Sequence, residues 1–250
     1  MSELNKVYWI WYREVIKFWR EKTRIISSLV TPLLWLLIFG SGMRAVAVPG
    51  TDNYQAFLFP GVVGMTLLFT SVASGVSVIW DREFGFLKEI LVAPVSRSAV
   101  VLGKALGGGT SALFQGVILL PLSFLVGVQL SPASVLLFIP VMVITAIGLV
   151  SIGLAIAAFV ESMEAFNLIM SFAIMPMFLL SGAFFPLNSA PVWLRGLSYI
   201  NPLTYGVDVL RWATFSGWDS LLPPYVEVII LAVFALAMIF LCARLFSTKK

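Results

Sequence analysis

Carboxylates, imidazoles and thiols are the side chains with which a chain of this size would do chemistry, and here they are scarce. There are 12 Asp and Glu residues, no histidine and a single cysteine, Cys242. Without histidine the commonest general base and the commonest metal ligand are missing, which excludes His-based triads and histidine metal sites. One cysteine forms no intrachain disulfide. The acidic residues that gather in one short stretch are Asp81, Glu83 and Glu89. No G-x-x-x-x-G-K-[ST] phosphate loop occurs, so any nucleotide chemistry resides in another polypeptide. We therefore expect no catalytic residue, no metal ligand and no cofactor held by this chain.

The element that must position these few groups is a bilayer. Of the 250 residues, 60% are apolar and 11% charged, against roughly a quarter charged in soluble domains, and the mean hydropathy is +1.01. The apolar residues fall in long runs with little of the alternation that gives a soluble helix its polar face. A helix needs about 20 residues to cross the hydrocarbon, and six stretches can do so: about 25–43, 57–79, 101–126, 134–159, 165–183 and 225–246. Pro121, Pro140 and Pro176 need not end a span, because neighbours can re-satisfy the freed carbonyls. The expected fold is all-α and integral to the membrane, with residues 1–250 forming a single transmembrane domain.

Lysine and arginine set the orientation. With six spans and a cytoplasmic start, 13 of the 16 basic residues fall inside, and Arg44, Arg195 and Arg211 alone fall outside. Both termini are then cytoplasmic. The opening residues do not read as a cleavable signal, since the basic region runs on to Arg24 and no small-residue cleavage site follows.

Four segments lie outside the membrane core. Residues 1–24 place Leu4, Tyr8, Trp11, Val15, Phe18 and Trp19 on one side of a helix and most of the basic residues on another, the pattern of an amphipathic helix lying along the inner leaflet. Residues 80–98 form the one substantial inside loop. Phe84, Leu87 and Leu91 follow helical spacing there, and Pro94 ends the run. An apolar face on a short cytosolic helix must be buried against the membrane or in a groove on a partner protein. The 160–164 connection, with Glu161 and Glu164, reads as a solvated turn. Residues 184–224, broken by five prolines, read as short outer-leaflet pieces that enter and turn back, with Trp193, Trp212 and Trp218 suited to the interface.

Within the spans, ion-coupled carriers place ionisable groups at membrane depth, and the middle of every stretch here lacks one. The main polar groups are Thr66, Thr70, Ser74 and Ser77 on the second span and Gln115 on the third. They serve helix packing or line a substrate path. Gly103 and Gly107 form a G-x-x-x-G that Ser111 extends, which specifies a close helix contact but not its partner. A transporter built this way must take its energy from a neighbour.

The run REFGFLKEILVAPVSR, residues 82–97, resembles the cytoplasmic loop of the membrane subunits of type-2 ABC exporters, where Glu-x-Gly, Leu and a closing Pro-[Val/Ile]-Ser-Arg recur. The run NPLTYGVDVLR, residues 201–211, is similar to that family's second landmark before the last helix. Phe86 and Lys88 depart from the small hydroxyl and acidic residues common there, a difference that bears on partner specificity. The resemblance implies a coupling helix at 80–98, carried by Glu83, Gly85, Leu87, Glu89, Pro94 and Arg97, that docks on a separate ATPase subunit holding ATP and Mg2+. It implies that the N-terminal helix lies at the same interface and that two permease copies, expected as a homodimer, pair with two ATPases. It also implies an outer-segment role for Asn201, Pro202, Tyr205, Asp208 and Arg211, with Asp208 and Arg211 spaced to pair on one helical turn.

The function implied is ATP-driven export of a drug, lipid, lipid-linked sugar or polysaccharide across a bacterial or archaeal plasma membrane, with the NPLTYGVD form leaning towards multidrug and antibiotic-resistance exporters. No nucleic acid is an expected partner. Two rivals remain at this point: an energy-independent channel or ion-coupled carrier, and a membrane-embedded lipid-modifying enzyme built on Asp81, Glu83 and Glu89.

Overall fold

The computed structural model describes residues 2–48, 50–51, 53–83, 96–160 and 162–248. Among them the regular secondary structure is helical. Helix α1, Glu3–Arg20, leads into α2, Lys22–Leu34, which continues past Pro32 through a π-helical turn, Trp35–Phe39, and a last turn, Gly40–Gly42. Then come α3 (Tyr54–Ala73), α4 (Val76–Glu83), α5 (Arg97–Leu119), α6 (Pro132–Phe159), α7 (Met163–Leu179), α8 (Val192–Ser198), α9 (Pro202–Thr214) and α10 (Pro224–Thr248). Short polar side chains start most of these helices. Asn53, Ser96, Ser131 and Ser162 each accept from the backbone N–H three residues on, satisfying one donor left free at a helix start. Pro140 and Pro176 lie inside α6 and α7. At Pro121, α5 tightens into a 3-10 turn, Leu120–Val126, closed by Gly127 at φ 79°.

Among the described residues, five helices are long and apolar enough to cross a membrane: Ile25–Gly42, Tyr54–Arg82, Arg97–Val126, Pro132–Phe159 and Pro224–Phe246. The sixth expected stretch is α7, which stops after 17 residues, about 26 Å of rise. It ends early because its last carbonyls are captured from the side. Asn201 Nδ2 donates to Met177 O (2.6 Å) and Thr204 Oγ1 to Leu180 O (3.4 Å), so the chain turns off into α8 and α9 instead of rising further.

Helix α3 sits at the centre, with Phe57, Phe59, Leu67 and Leu68 fully buried among α5, α6 and α9. The second span is not one rod. It breaks between Ala73 and Val76, where Gly75 N–H bonds Val72 O (3.0 Å) and Val78 N–H bonds Gly75 O (3.0 Å). The cause is a backbone-to-backbone contact with α6: a Cβ on Gly75 would stand 2.4 Å from Gly153 O, and one on Gly153 2.4 Å from Val72 O. The apolar core divides at this break. The larger cluster surrounds α3, while Val78 and Ile79 of α4 belong to a second one with Val101, Ala105, Leu154, Phe166 and Cys242.

The G-x-x-x-G of the third span meets α1 of the same chain. Ideal Cβ atoms on Gly103 and Gly107 would lie 2.6 Å from Ile10 and 2.5 Å from Glu14. Helix α1 is thus packed on the protein through Ile10, Trp11, Glu14 and Phe18. Tyr8, Trp9, Tyr12 and Trp19 stay exposed. The apolar face expected to lie on the leaflet is therefore shared, with Trp11 and Phe18 turned to the protein.

Candidate functional site

Three sites result from this arrangement, and the first is a cavity. Thr66, Thr70 and Gln115 come together with Ser28, Thr31 and Pro32 of α2, Met65 and Phe69 of α3 and Met170 of α7 around a volume of about 320 Å³. Thr70 Oγ1 donates to Gln115 Oε1, and Thr66 Oγ1 returns to Val62 O (3.0 Å). Ser74 and Ser77, expected on the same row, lie in the break and past it. They line a separate cleft of about 30 Å³ with Glu14, Lys17 and Ser111, which Thr70 also borders.

The second site is a buried cluster of charges at the root of the 80–98 segment. Asp81 is buried in the last turn of α4. Lys104 Nζ donates to Asp81 Oδ2 (2.6 Å), Glu14 Oε1 (3.0 Å) and Ser77 Oγ (3.0 Å), and Arg13 Nη2 donates to Asp81 Oδ1 (2.6 Å). The side chains of Lys104, Asp81 and Glu14 are 2%, 5% and 10% exposed, so water screens these pairs little. Two cations face two carboxylates, and the set is neutral as a whole. Lys17 Nζ adds a contact 5.1 Å over the Trp80 ring, and Trp11 Nε1 donates to Thr110 Oγ1 (3.0 Å). Buried ionisable groups do exist in this chain, then, near the ends of spans rather than their middles.

The stems of the segment are fastened too. Arg82 donates to Val160 O (2.8 Å) and Ala157 O (3.2 Å) at the end of α6, and Arg97 to Phe246 O (2.7 Å) at the end of α10. Each places a cation on a helix C-terminus, where it satisfies free carbonyls and opposes the helix dipole. Glu83 closes α4. Gly85, Leu87, Glu89 and Pro94 lie outside the described residues.

The third site is the 201–211 landmark, which caps the end of α7. Asn201 is the N-cap of α9 and Pro202 its first residue, a position that needs no N–H. Tyr205 Oη donates to Tyr199 O (2.6 Å). Asp208 and Arg211 do not pair with each other. Asp208 accepts from Trp218 Nε1 and the Leu221 N–H, both at 2.8 Å, while Arg211 donates to Gly182 O (3.0 Å) and stacks 4.0 Å from the Phe57 ring centre and 5.0 Å from that of Trp218. Burial lowers Arg211 from its ordinary value to about 10, opposed by Asp208, and it remains a cation at neutral pH. Trp218, half-buried, is thus part of the cluster, whereas Trp193 and Trp212 are exposed.

Comparison with known proteins matches residues 5–215 to the family described as ABC-2 type transporter. The chain belongs to that family. The ABC-2 chain is 28% identical over 254 residues to the inner membrane transport permease YadH of Escherichia coli, covering 98% of this chain and 97% of that one. It is 29% identical over 212 residues to the transport permease ycf38 of Cyanophora paradoxa, covering 82% and 73%. A third relative, YbhR of Escherichia coli, is named for multidrug ABC transport and is 30% identical over 178 residues, 68% of this chain and 48% of that one. This ABC-2 permease is accordingly a multi-pass membrane component of an ABC transporter and not itself an enzyme. Membership implies association with an ABC ATPase subunit.

The sequence uses Lys104 and Arg13 for topology and offers Asp81 as an acidic candidate beside Glu83 and Glu89, and it does not bring the three together. The signal that could have found them is a lysine set beside the first glycine of the G-x-x-x-G, on the helix face that must touch a neighbour closely.

Proposed function

We propose that this permease is the membrane half of an ATP-driven exporter of amphipathic drugs or lipids. A separate ATPase subunit, carrying ATP and Mg2+, docks on the 80–98 segment through Glu83, Gly85, Leu87, Glu89 and Pro94, and two copies of the chain frame the path. Counting α7 as a short sixth span places both termini and the 80–98 segment in the cytosol, with the 184–224 segment in the outer leaflet of a bacterial plasma membrane. The distribution of lysine and arginine supports this orientation.

The observation that carries the reading is the cavity of about 320 Å³ between α2, α3, α5 and α7. Small-molecule sites of roughly 300–1,000 Å³ are mostly apolar with a few placed polar groups, and Thr70 with Gln115 supplies those groups here. Met65 and Met170 are soft, adaptable side chains that suit varied apolar cargo. A hydrogen bond between spans contributes only about 0.6 kcal/mol on average to stability. Packing alone is therefore a weak reason for the Thr70–Gln115 pair.

Everted vesicles holding the chain with its co-purified ATPase subunit test this, using ATP-dependent uptake of ethidium and doxorubicin. Gln115→Leu should slow uptake about tenfold, a barrier change of ~1.4 kcal/mol, while ATP hydrolysis changes less than about twofold. Unaltered uptake of both probes would remove the cavity from the path. ATP-independent uptake by the chain alone would replace the exporter reading with a carrier.

A further inference from the structure

Three connections of the chain meet around a hollow that is separate from the cavity, the charge cluster and the 201–211 cap. It holds about 600 Å³, nearly twice the volume of the cavity between the spans, and Thr51, Gly127, Gln129, Thr214, Phe215 and Ser216 contribute to its wall. Thr51 lies before α3, Gly127 and Gln129 lie between α5 and α6, and Thr214 to Ser216 lie where α9 ends. These stretches are far apart in sequence, so the hollow is a product of the fold and not of one loop.

Its chemistry is the reverse of the cavity's. The wall is mostly polar, whereas sites for drug-like molecules are mostly apolar with a few polar groups. Among the described residues no ionisable side chain lines it, so a charged ligand would lose water and gain no counter-charge. The hydroxyls of Thr51 and Thr214 donate to Val48 O (3.0 Å) and Leu210 O (2.7 Å), which leaves their lone pairs to face a ligand as acceptors. The exposed Gln129 and Ser216 bond no other described residue through their side chains. The Gln129 amide offers two N–H donors and a carbonyl, and the Ser216 hydroxyl offers one donor. Phe215 adds an aromatic ring, whose face attracts polarised C–H bonds. Gly50 and Gly127, at φ 80° and 79°, border the space with no side chain to fill it. Neutral donors and acceptors with one aromatic ring match a ligand whose hydroxyls both donate and accept and whose own ring carries an apolar C–H face.

We propose that this hollow binds an uncharged saccharide, as a free glycan or as the headgroup of a glycolipid in the adjoining leaflet. The proposal rests on the exporter reading only for its side of the membrane: with both termini in the cytosol, all three connections face the exterior. Photoreactive sugars test it on the full chain with its ATPase subunit. Diazirine-tagged oligosaccharides of glucose, galactose, mannose and N-acetylglucosamine, added to spheroplasts, stand for the free glycan. Tagged glycolipids bearing the same sugars, in lipid nanodiscs, stand for the headgroup. Peptide mapping then locates the label.

At least one sugar of the set should label 127–129 and 214–216 at a concentration where a tagged oligoglucuronate does not, and the arm in which it does so identifies the source. Ser216→Trp, which fills the hollow from an exposed position, should cut labelling at least about tenfold. Gln129→Leu should cut it about two- to tenfold, the loss of one or two hydrogen bonds, and both variants should melt near the wild-type temperature. Labelling by no member of either set, labelling that both variants leave intact, or equal labelling by the oligoglucuronate overturns the site. Labelling by the free sugars from everted vesicles but not from spheroplasts overturns its exterior placement and the proposed orientation together. The label is read without ATP, so a failure of ATP-driven dye uptake would end the exporter reading and leave the saccharide site standing.

Discussion

The two ends of this permease both bury charge, and they satisfy it differently. At the 201–211 end Arg211 and Asp208 sit three residues apart on one helix, yet each turns to other partners. Arg211 takes backbone carbonyls and two aromatic faces, and Asp208 takes an indole N–H and a backbone N–H. At the Asp81 end four charged side chains from three helices satisfy one another. A charge held by backbone and rings fixes one local conformation, since those partners cannot exchange. A charge held by side chains from separate helices ties those helices together while leaving each helix intact.

The sharpest way to break this contrast is to remove one charge from each end and ask whether a second change repairs it. Arg211→Met should cost about 3–5 kcal/mol, the usual penalty for breaking a buried charged network from one side. Adding Asp208→Asn should recover little, because Asp208 is already bonded elsewhere. Lys104→Met should cost a comparable amount alone, but adding Asp81→Ala should recover most of it. Unfolding of the detergent-solubilised variants, followed by the fluorescence of the 8 tryptophans, measures both, and equal recovery at the two ends would erase the distinction.

A smaller effect, about 1–3 kcal/mol from overpacking, is expected for Gly107→Val, whose Cβ falls 2.5 Å from Glu14. It should pry α1 from the third span, read as faster amide exchange along Glu3–Arg20 with the outer helices unchanged. Thr70→Val, between the two ends, should lower stability by only about 0.6 kcal/mol in the same unfolding assay. A larger loss would make the Thr70–Gln115 pair a packing element rather than part of the cavity.

Much of this architecture was legible in the residues. Long apolar runs mark five spans because a bilayer accommodates them, and the runs at 82–97 and 201–211 carry the family. The failures share a physical cause. The spacing of Asp208 and Arg211 predicts a pair on one turn, but helix spacing knows nothing of Trp218 or of the carbonyls freed at the end of α7. The row Thr66, Thr70, Ser74 and Ser77 reads as one stripe on a straight helix. The helix is interrupted where Gly75 meets Gly153, and the stripe is divided between two spaces. Lys104 counted as one more inside cation, since Asp81 and Glu14 reach it only through tertiary packing. Helix α7 is shorter than the apolar stretch in which it lies, because composition carries no record of which carbonyls a later segment will claim.

Arg82 and Arg97 flank residues 84–95 in sequence and reach to the terminal carbonyls of α6 and α10. The two ends of that segment are thereby moored to two spans that it does not join in sequence, so a variant that frees either arginine should loosen a helix terminus far along the chain from the substitution.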